Sequence, residues 1–323
     1  MYADSIITGS ATPINPSSQI TPAAPLKLTF PEPGPKPVSS WRPSLLPVPY
    51  ALSPHDHFYL YRPIAVTSVN WPLPNYRYGY QDAETENPHT GVDIDAPMHT
   101  PILAAGDGKV VFTGYGLALG GGNTADPYGL AVVVRHNFSF SGRSLMTVYA
   151  HMEKITVKIG QTVKAGDQLG LVGITGNTTG PHVHFEVRLE KGDAYSVQNP
   201  ELWMVPPTDY GVLVGRFKNN FGDYLTSQTV KLKSESSGKT WNMLTYAAQT
   251  IQNDPYFSEN LVLGDLPIGN YKVSFLNNSH TYTTEISIAP GTITFISFSG
   301  GQGFTNVQPK PTDSDSFLIP FHN

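Results

Sequence analysis

The 323-residue sequence predicts an all-β protein, an antiparallel β-sheet unit followed by a small β-sandwich. Three observations predict it. The composition is 39% hydrophobic and 14% charged, with 30 Gly and 29 Pro, which suits short strands joined by many turns better than helical bundles. β-Branched and aromatic runs such as GKVVFTG, LAVVVRH, LMTVYAH and VHFEVRL recur between Gly-rich turns. After PPTDYG a second series begins, with VLVGRFK, TVKLKSE, LVLGDLPIGNYKVSFL, TYTTEISI and TITFISF, at the spacing of a sandwich.

Residues 1–48 are rich in Pro, Ser and Thr and hold no apolar period that offsets the entropy of ordering them, so they read as a Pro-rich disordered arm. Residues 49–207 carry the first strand series and residues 208–300 the second. Residues 301–323, ending PKPTDSDSFLIPFHN, are polar and Pro-containing and read as a flexible tail.

The composition also excludes classes of function. A formal net charge of -5 offers no long-range attraction to nucleic acid or to an anionic membrane. Cysteine is absent, so disulfides, thiolate metal sites and cysteine nucleophiles are excluded, and a bound metal must be held by His and carboxylates. No run approaches ~18 apolar residues, so no transmembrane helix is expected, and the start MYADSIITGS lacks the basic and apolar regions of a signal peptide.

The chemistry is sought among ten histidines, of which His89, His99, His136, His151, His182 and His184 lie in the first strand series. In PHVHFEVRL the spacing of two within a strand-like run points His182, His184 and Glu186 to one face. Two imidazoles there form an edge for a metal, or one ligand beside one acid-base group. In HTGVDIDAP, His89 and Asp93 are four apart, while Pro88, Gly91 and Pro97 argue against a helix. His89 then sits in a turn leading into a short strand that carries Asp93. His151 ends the β-branched run TVYAHM. His55 and His57, in SPHDHFYLY, repeat the spacing of two beside the Pro-rich arm and read as structural or incidental, as does His136 in VVVRHN.

HTGVDIDAP, YAHM and GNTTGPHVHFEV, in this order, together resemble the lysostaphin-type (LytM-like) zinc metalloendopeptidases, which include many peptidoglycan hydrolases. The resemblance covers about Pro88 to Val187 and includes TPILAAGDGKVVFTG and VKIGQTVKAGDQLGLVGITGNTTG. It implies the duplicated hybrid motif, a barrel-sandwich type of β domain, with one Zn2+ held by His89, Asp93 and His184. His151 and His182 would be the catalytic pair that stands over the metal and handles protons. It further implies an endopeptidase that hydrolyses peptide cross-links of bacterial peptidoglycan, with peptide stems and cross-bridges as partners, acting as an extracytoplasmic monomer. The alternative is a catalytically silent relative that binds peptidoglycan or regulates another wall hydrolase. VKAGDQLGLVG also resembles hairpins of lipoyl or biotin carriers, but a carrier has no use for the five site residues together.

Asp95 stands where small residues are usual in the family and reads as a surface carboxylate or, on the face of Asp93, as a partner that supports the ligands; His99 replaces a frequent glycine and either lines its turn or narrows the groove. Glu186 shares the face of His184 and is placed to orient it. The Gly-rich segment GYGLALGGGNTADPYG is a candidate wall of the substrate cleft. The second unit resembles a transthyretin-like or carboxypeptidase-regulatory β-sandwich, through GRFKN, ENLVLGDLPIGNYKVSF and the strands around APGT. Its expected role is spacing, wall attachment or substrate presentation.

Overall fold

A computed structural model describes residues 53, 55–64, 74–81, 87–192, 194–207, 209–305, 307–309 and 319–320. The expected arm at 1–48 lies outside them, as does most of the expected tail. Among the described residues the only helical elements are short 3-10 turns, and the rest of the regular structure is strand, in keeping with an all-β chain.

The first unit contains β1 (Val92–Asp95), β2 (Pro101–Leu103), β3 (Gly108–Gly114), β4 (Leu130–Phe140), β5 (Arg143–Ile155), β6 (Thr162–Val163), β7 (Gln168–Val172), β8 (His182–Lys191) and β9 (Ala194–Gln198). The second contains β10 (Tyr210–Lys218), β11 (Thr229–Ser234), β12 (Thr240–Leu244), β13 (Leu261–Pro267), β14 (Gly269–Asn277), β15 (His280–Ile288), β16 (Ile293–Ser299) and β17 (Gly303–Thr305). A short β18 (Ile319–Pro320) returns to pair with β9.

The strands of the first unit and β18 form a ten-stranded sheet with the path β18-β9-β8-β5-β4-β3-β6, in which every pairing is antiparallel. β8 lies between β5 on one side and, at its start, β1 on the other. The uninterrupted Val132-Val133-Val134 of β4 is explained by burial on both faces. Val132 and Val134 join the main core, while Val133 packs with Met146 and Val148 under Phe112, Leu117 and Tyr128. The Gly-rich segment after β3 therefore folds back over the sheet. Buried Asp126 fixes it, with Oδ2 accepting from the amides of Ala118 and Leu119 and Oδ1 from that of Tyr128.

His136 shows the structural role expected for it. Its Nδ1–H donates to the Asp107 carbonyl at 3.1 Å, and its Nε2 lies 2.9 Å from the Thr147 hydroxyl, which lies 2.9 Å from the Tyr149 hydroxyl. Burial pushes its pKa down to about 4 against the help of the Asp107 carbonyl. The ring stays neutral in the folded chain while the unfolded chain takes up a proton below about 6.5. Its share of stability is therefore complete above that pH and is lost as pH falls toward 4. NMR titration of the ring should give a midpoint near 4; a midpoint near 6.5 would contradict the burial argument.

The second unit is a sandwich of two four-stranded sheets, β13-β10-β16-β17 and β12-β11-β14-β15. Leu213, Phe217, Leu263 and Phe298 of the first meet Val230, Leu232, Val273 and Phe275 of the second. All its pairings are antiparallel except that between β10 and β16. The alternate residues of β10 and β13 are buried too. Val212, Val214 and Val262 belong to the core of the first unit, along with Phe257. One sheet of the sandwich is thus covered on both faces, and the two units share a buried apolar surface.

Candidate metal centre

The site is built by strand register. Antiparallel pairing sets Asp93 of β1 directly opposite His184 of β8, so both side chains leave the same face. His182, two residues earlier on β8, points the same way and faces Asp95, whose side chain is exposed. His89 precedes β1 in an irregular stretch between two bends, not in the expected turn. Its amide donates to the Tyr80 carbonyl at 2.7 Å, and its own carbonyl accepts from the Gly79 amide at 2.8 Å.

His151 arrives by a different route. Ala150, not His151, pairs with His184, and Tyr149 pairs with Phe185 in the core. Regular alternation would turn His151 to the core side. Instead its φ is 59°, in the left-handed region that non-glycine residues rarely adopt, and the pairing of β5 with β7 slips just beyond it, between Met152 and Lys154. The distortion brings its ring to 4.7 Å from that of His182 and 5.8 Å from that of His184. Gly129 lets the neighbouring loop close on this point. With φ 62°, a Cβ there would lie 2.3 Å from the Thr175 backbone, whose carbonyl accepts the Nδ1–H of His151 at 2.8 Å.

The five predicted residues are therefore together, and His89, Asp93 and His184 form a group with one donor atom each within 4.8 Å of one another. The tautomers follow from the partners. His89 Nδ1 lies 3.0 Å from the Arg77 carbonyl and His184 Nε2 lies 3.0 Å from Glu186 Oε1, both pure acceptors, so each of these nitrogens carries the proton. The other two nitrogens present lone pairs 3.0 Å apart, and Asp93 Oδ1 stands 3.1 Å and 2.8 Å from them. Three donor atoms converging this closely could hold a metal ion between them. The separations approach the roughly 3.3 Å edge of a tetrahedron with zinc bonds of ~2.0–2.1 Å.

In the metal-free chain protons compete for the same atoms. Burial opposes ionisation of Asp93, yet the charges and hydrogen bonds of His89 and His184 hold it well below the usual carboxylate range. Burial also opposes charge on His184, but Asp93 and Glu186 outweigh it and raise its pKa to about 9. His151 is pushed down to about 3 by burial and then by the positive charge of His184 and His182. His182 donates from Nδ1 to the Gly180 carbonyl at 2.8 Å, and its buried Nε2, without a hydrogen-bond partner, lies 3.6 Å from Asp93 Oδ1.

Glu186 is fully buried. Besides His184, its Oε1 accepts from the Thr90 hydroxyl and from the Tyr128 hydroxyl at 2.6 Å, while Oε2 pairs with Arg188 at 2.6 Å. Arg188 outweighs the cost of burial and keeps the carboxylate ionised. The sequence alone does not single out Arg188, Tyr128 or Thr90 by role. Arg188 is readable as the fourth residue of the alternating face His182, His184, Glu186, and Tyr128 belongs to the Gly-rich segment read as a candidate cleft wall. His99 binds Glu153 at the surface instead of joining the cluster.

The sequence pattern of Peptidase family M23 matches residues 87–197, which span the whole cluster. The chain is a member of peptidase family M23. Its M23 domain is 37% identical over 134 residues to the peptidoglycan DD-endopeptidase ShyA of Vibrio cholerae, a stretch covering 41% of this chain and 28% of that protein. An uncharacterised metalloprotease of Buchnera aphidicola is 40% identical over 105 residues, or 32% of this chain and 24% of the relative. The chain thus spans about a quarter of the length of these curated relatives. Among solved structures, the catalytic domain of lysostaphin from Staphylococcus simulans is 31% identical, with 39% of this chain and 86% of that chain covered and a TM-score of 0.32.

Proposed function

We propose that the M23 domain is a zinc-dependent endopeptidase that hydrolyses peptide cross-links of bacterial peptidoglycan outside the cytoplasm. The observation that carries this reading is the convergence of His89 Nε2, Asp93 Oδ1 and His184 Nδ1 beneath two further imidazoles. Two imidazoles and one carboxylate, without thiolates, suit zinc and leave it a net positive charge. Bound by these three residues, zinc would supply Lewis acidity toward a scissile carbonyl and a water.

The rest of the chemistry falls to His151 and His182. Each has its Nδ1–H committed to a backbone carbonyl, of Thr175 and Gly180, so each presents Nε2 to the site. A neutral ring accepts the proton of the attacking water at Nε2, and a protonated one offers Nε2–H to the developing oxyanion and then to the leaving amine. We treat the two as a pair. Relatives named DD-endopeptidases favour bonds between D-amino acids as the target class.

Digestion of purified cross-linked peptidoglycan by the zinc-loaded protein, followed by mass spectrometry of the fragments, tests the reading. New peptide termini should appear with the parent and not with His184→Ala. No new termini across several wall types, despite tightly bound zinc, would transfer the site to binding, regulation or a different peptide substrate.

A further inference from the structure

We infer that the β-sandwich positions the metal ligand His89, through a clamp in which Tyr246 and its neighbours hold residues 77–79 against the M23 domain. The inference rests on the zinc reading above. Asp93 and His184 sit on paired strands, whereas His89 lies outside the strands and depends on other support. That support is the strap 77–80. It exchanges backbone hydrogen bonds with His89 through Tyr80 and Gly79, and its Arg77 carbonyl takes the imidazole Nδ1–H. The strap therefore sets both the position of the ring and the nitrogen it turns to the metal.

The strap is in turn gripped from both units. On the M23 side, the Arg77 guanidinium pairs with both oxygens of buried Glu201, at 2.8 Å and 2.6 Å. Glu201 Oε2 also accepts the amide of Gly264 in the sandwich strand β13. From the sandwich, the Ala247 amide donates to the Gly79 carbonyl at 2.8 Å, and the Gln252 carbonyl accepts the Tyr78 hydroxyl at 2.8 Å.

Tyr246 is the centre of this grip. Its ring meets that of Tyr78 edge-on at 5.3 Å. It also underlies Gly79, where a Cβ would fall 2.6 Å from the Tyr246 ring and φ is 78°. Its hydroxyl is 3.0 Å from Asn199 Nδ2, just after β9 of the first unit, and 2.9 Å from Glu259 of the sandwich. Groups that orient metal-bound histidines typically contribute about 10- to 100-fold in metal affinity, and Tyr246 acts one step further out through the strap.

The test is zinc affinity, measured by chelator competition on the full chain, with the His89 ring tautomer followed by 1H–15N NMR of the zinc-free protein. Tyr246→Ala should weaken zinc binding about 10-fold or more and loosen the Nδ1–H signature of His89. Tyr246→Phe, which keeps the ring under Gly79, should stay close to the parent. Phe275→Leu, in the sandwich core away from the strap, should lower the melting temperature without weakening zinc binding. If Tyr246→Ala does not fold, Tyr246→Leu takes its place. Parent-like affinity in Tyr246→Ala, or an equal loss in Phe275→Leu, overturns the clamp alone. A parent that binds no zinc overturns the metal assignment itself.

Discussion

Metal and turnover should disappear together when His184 is replaced by alanine. The change removes the lone pair at Nδ1, one of three protein donors at the centre, and leaves Asp93 with His89 alone. It also strips Glu186 of the Nε2–H that it accepts, while Arg188, Thr90 and Tyr128 still hold that carboxylate ionised. A negative charge is thus kept beside the site without the ring that linked it to the metal. Metal analysis of the purified variant should fall from about one zinc per chain toward none, with hydrolysis at background, because a centre with two remaining donors loses most of its binding free energy. Retention of stoichiometric zinc would remove His184 from the ligand set.

His151→Ala should separate the two properties that His184→Ala removes together. His151 contributes no donor atom to the group of His89, Asp93 and His184, and its Nδ1 is tied to the Thr175 carbonyl. Zinc content should stay at the parent level, while turnover falls by roughly 10²- to 10⁴-fold, the range for loss of a positioned proton-transfer group. The backbone strain at φ 59° remains in the variant, since alanine gains no freedom in that region, so the melting temperature should move little. Loss of zinc in this variant would make His151 a ligand and reverse the assignment.

The strand segments and one face of the centre were legible because they depend on a period of two, whereas the full set of five residues was legible only through the family resemblance. His182, His184, Glu186 and Arg188 share a face by alternation alone, and β4 and β5 announce themselves as β-branched runs. That Asp93 lies opposite His184 is a matter of register between segments some ninety residues apart, which one sequence does not encode locally. His151 shows the limit more sharply. Alternation places it beside Tyr149 in the core, and only a left-handed residue, invisible in the letters YAHM, returns it to the site. Arg77 acts through its carbonyl, and a backbone atom leaves no trace in residue type. The pair His55 and His57, by contrast, behaves as its bland reading expected. His55 stacks on Tyr256 at 3.4 Å and His57 lies buried 3.4 Å from Asp254, so both serve the junction between the units.

Sequence also announced a sandwich without announcing what it leans on. β10 and β13 carry only the short apolar runs VLV and LVL, yet both are buried along most of their length, and the sequence does not identify the second cover. The cover is the M23 domain, through Val212, Val214, Val262 and Phe257. Shuffled alone into another gene, either unit would carry a bare apolar patch into its new protein and invite aggregation. Any exchange of the sandwich for another module would have to replace that apolar floor beneath the M23 domain.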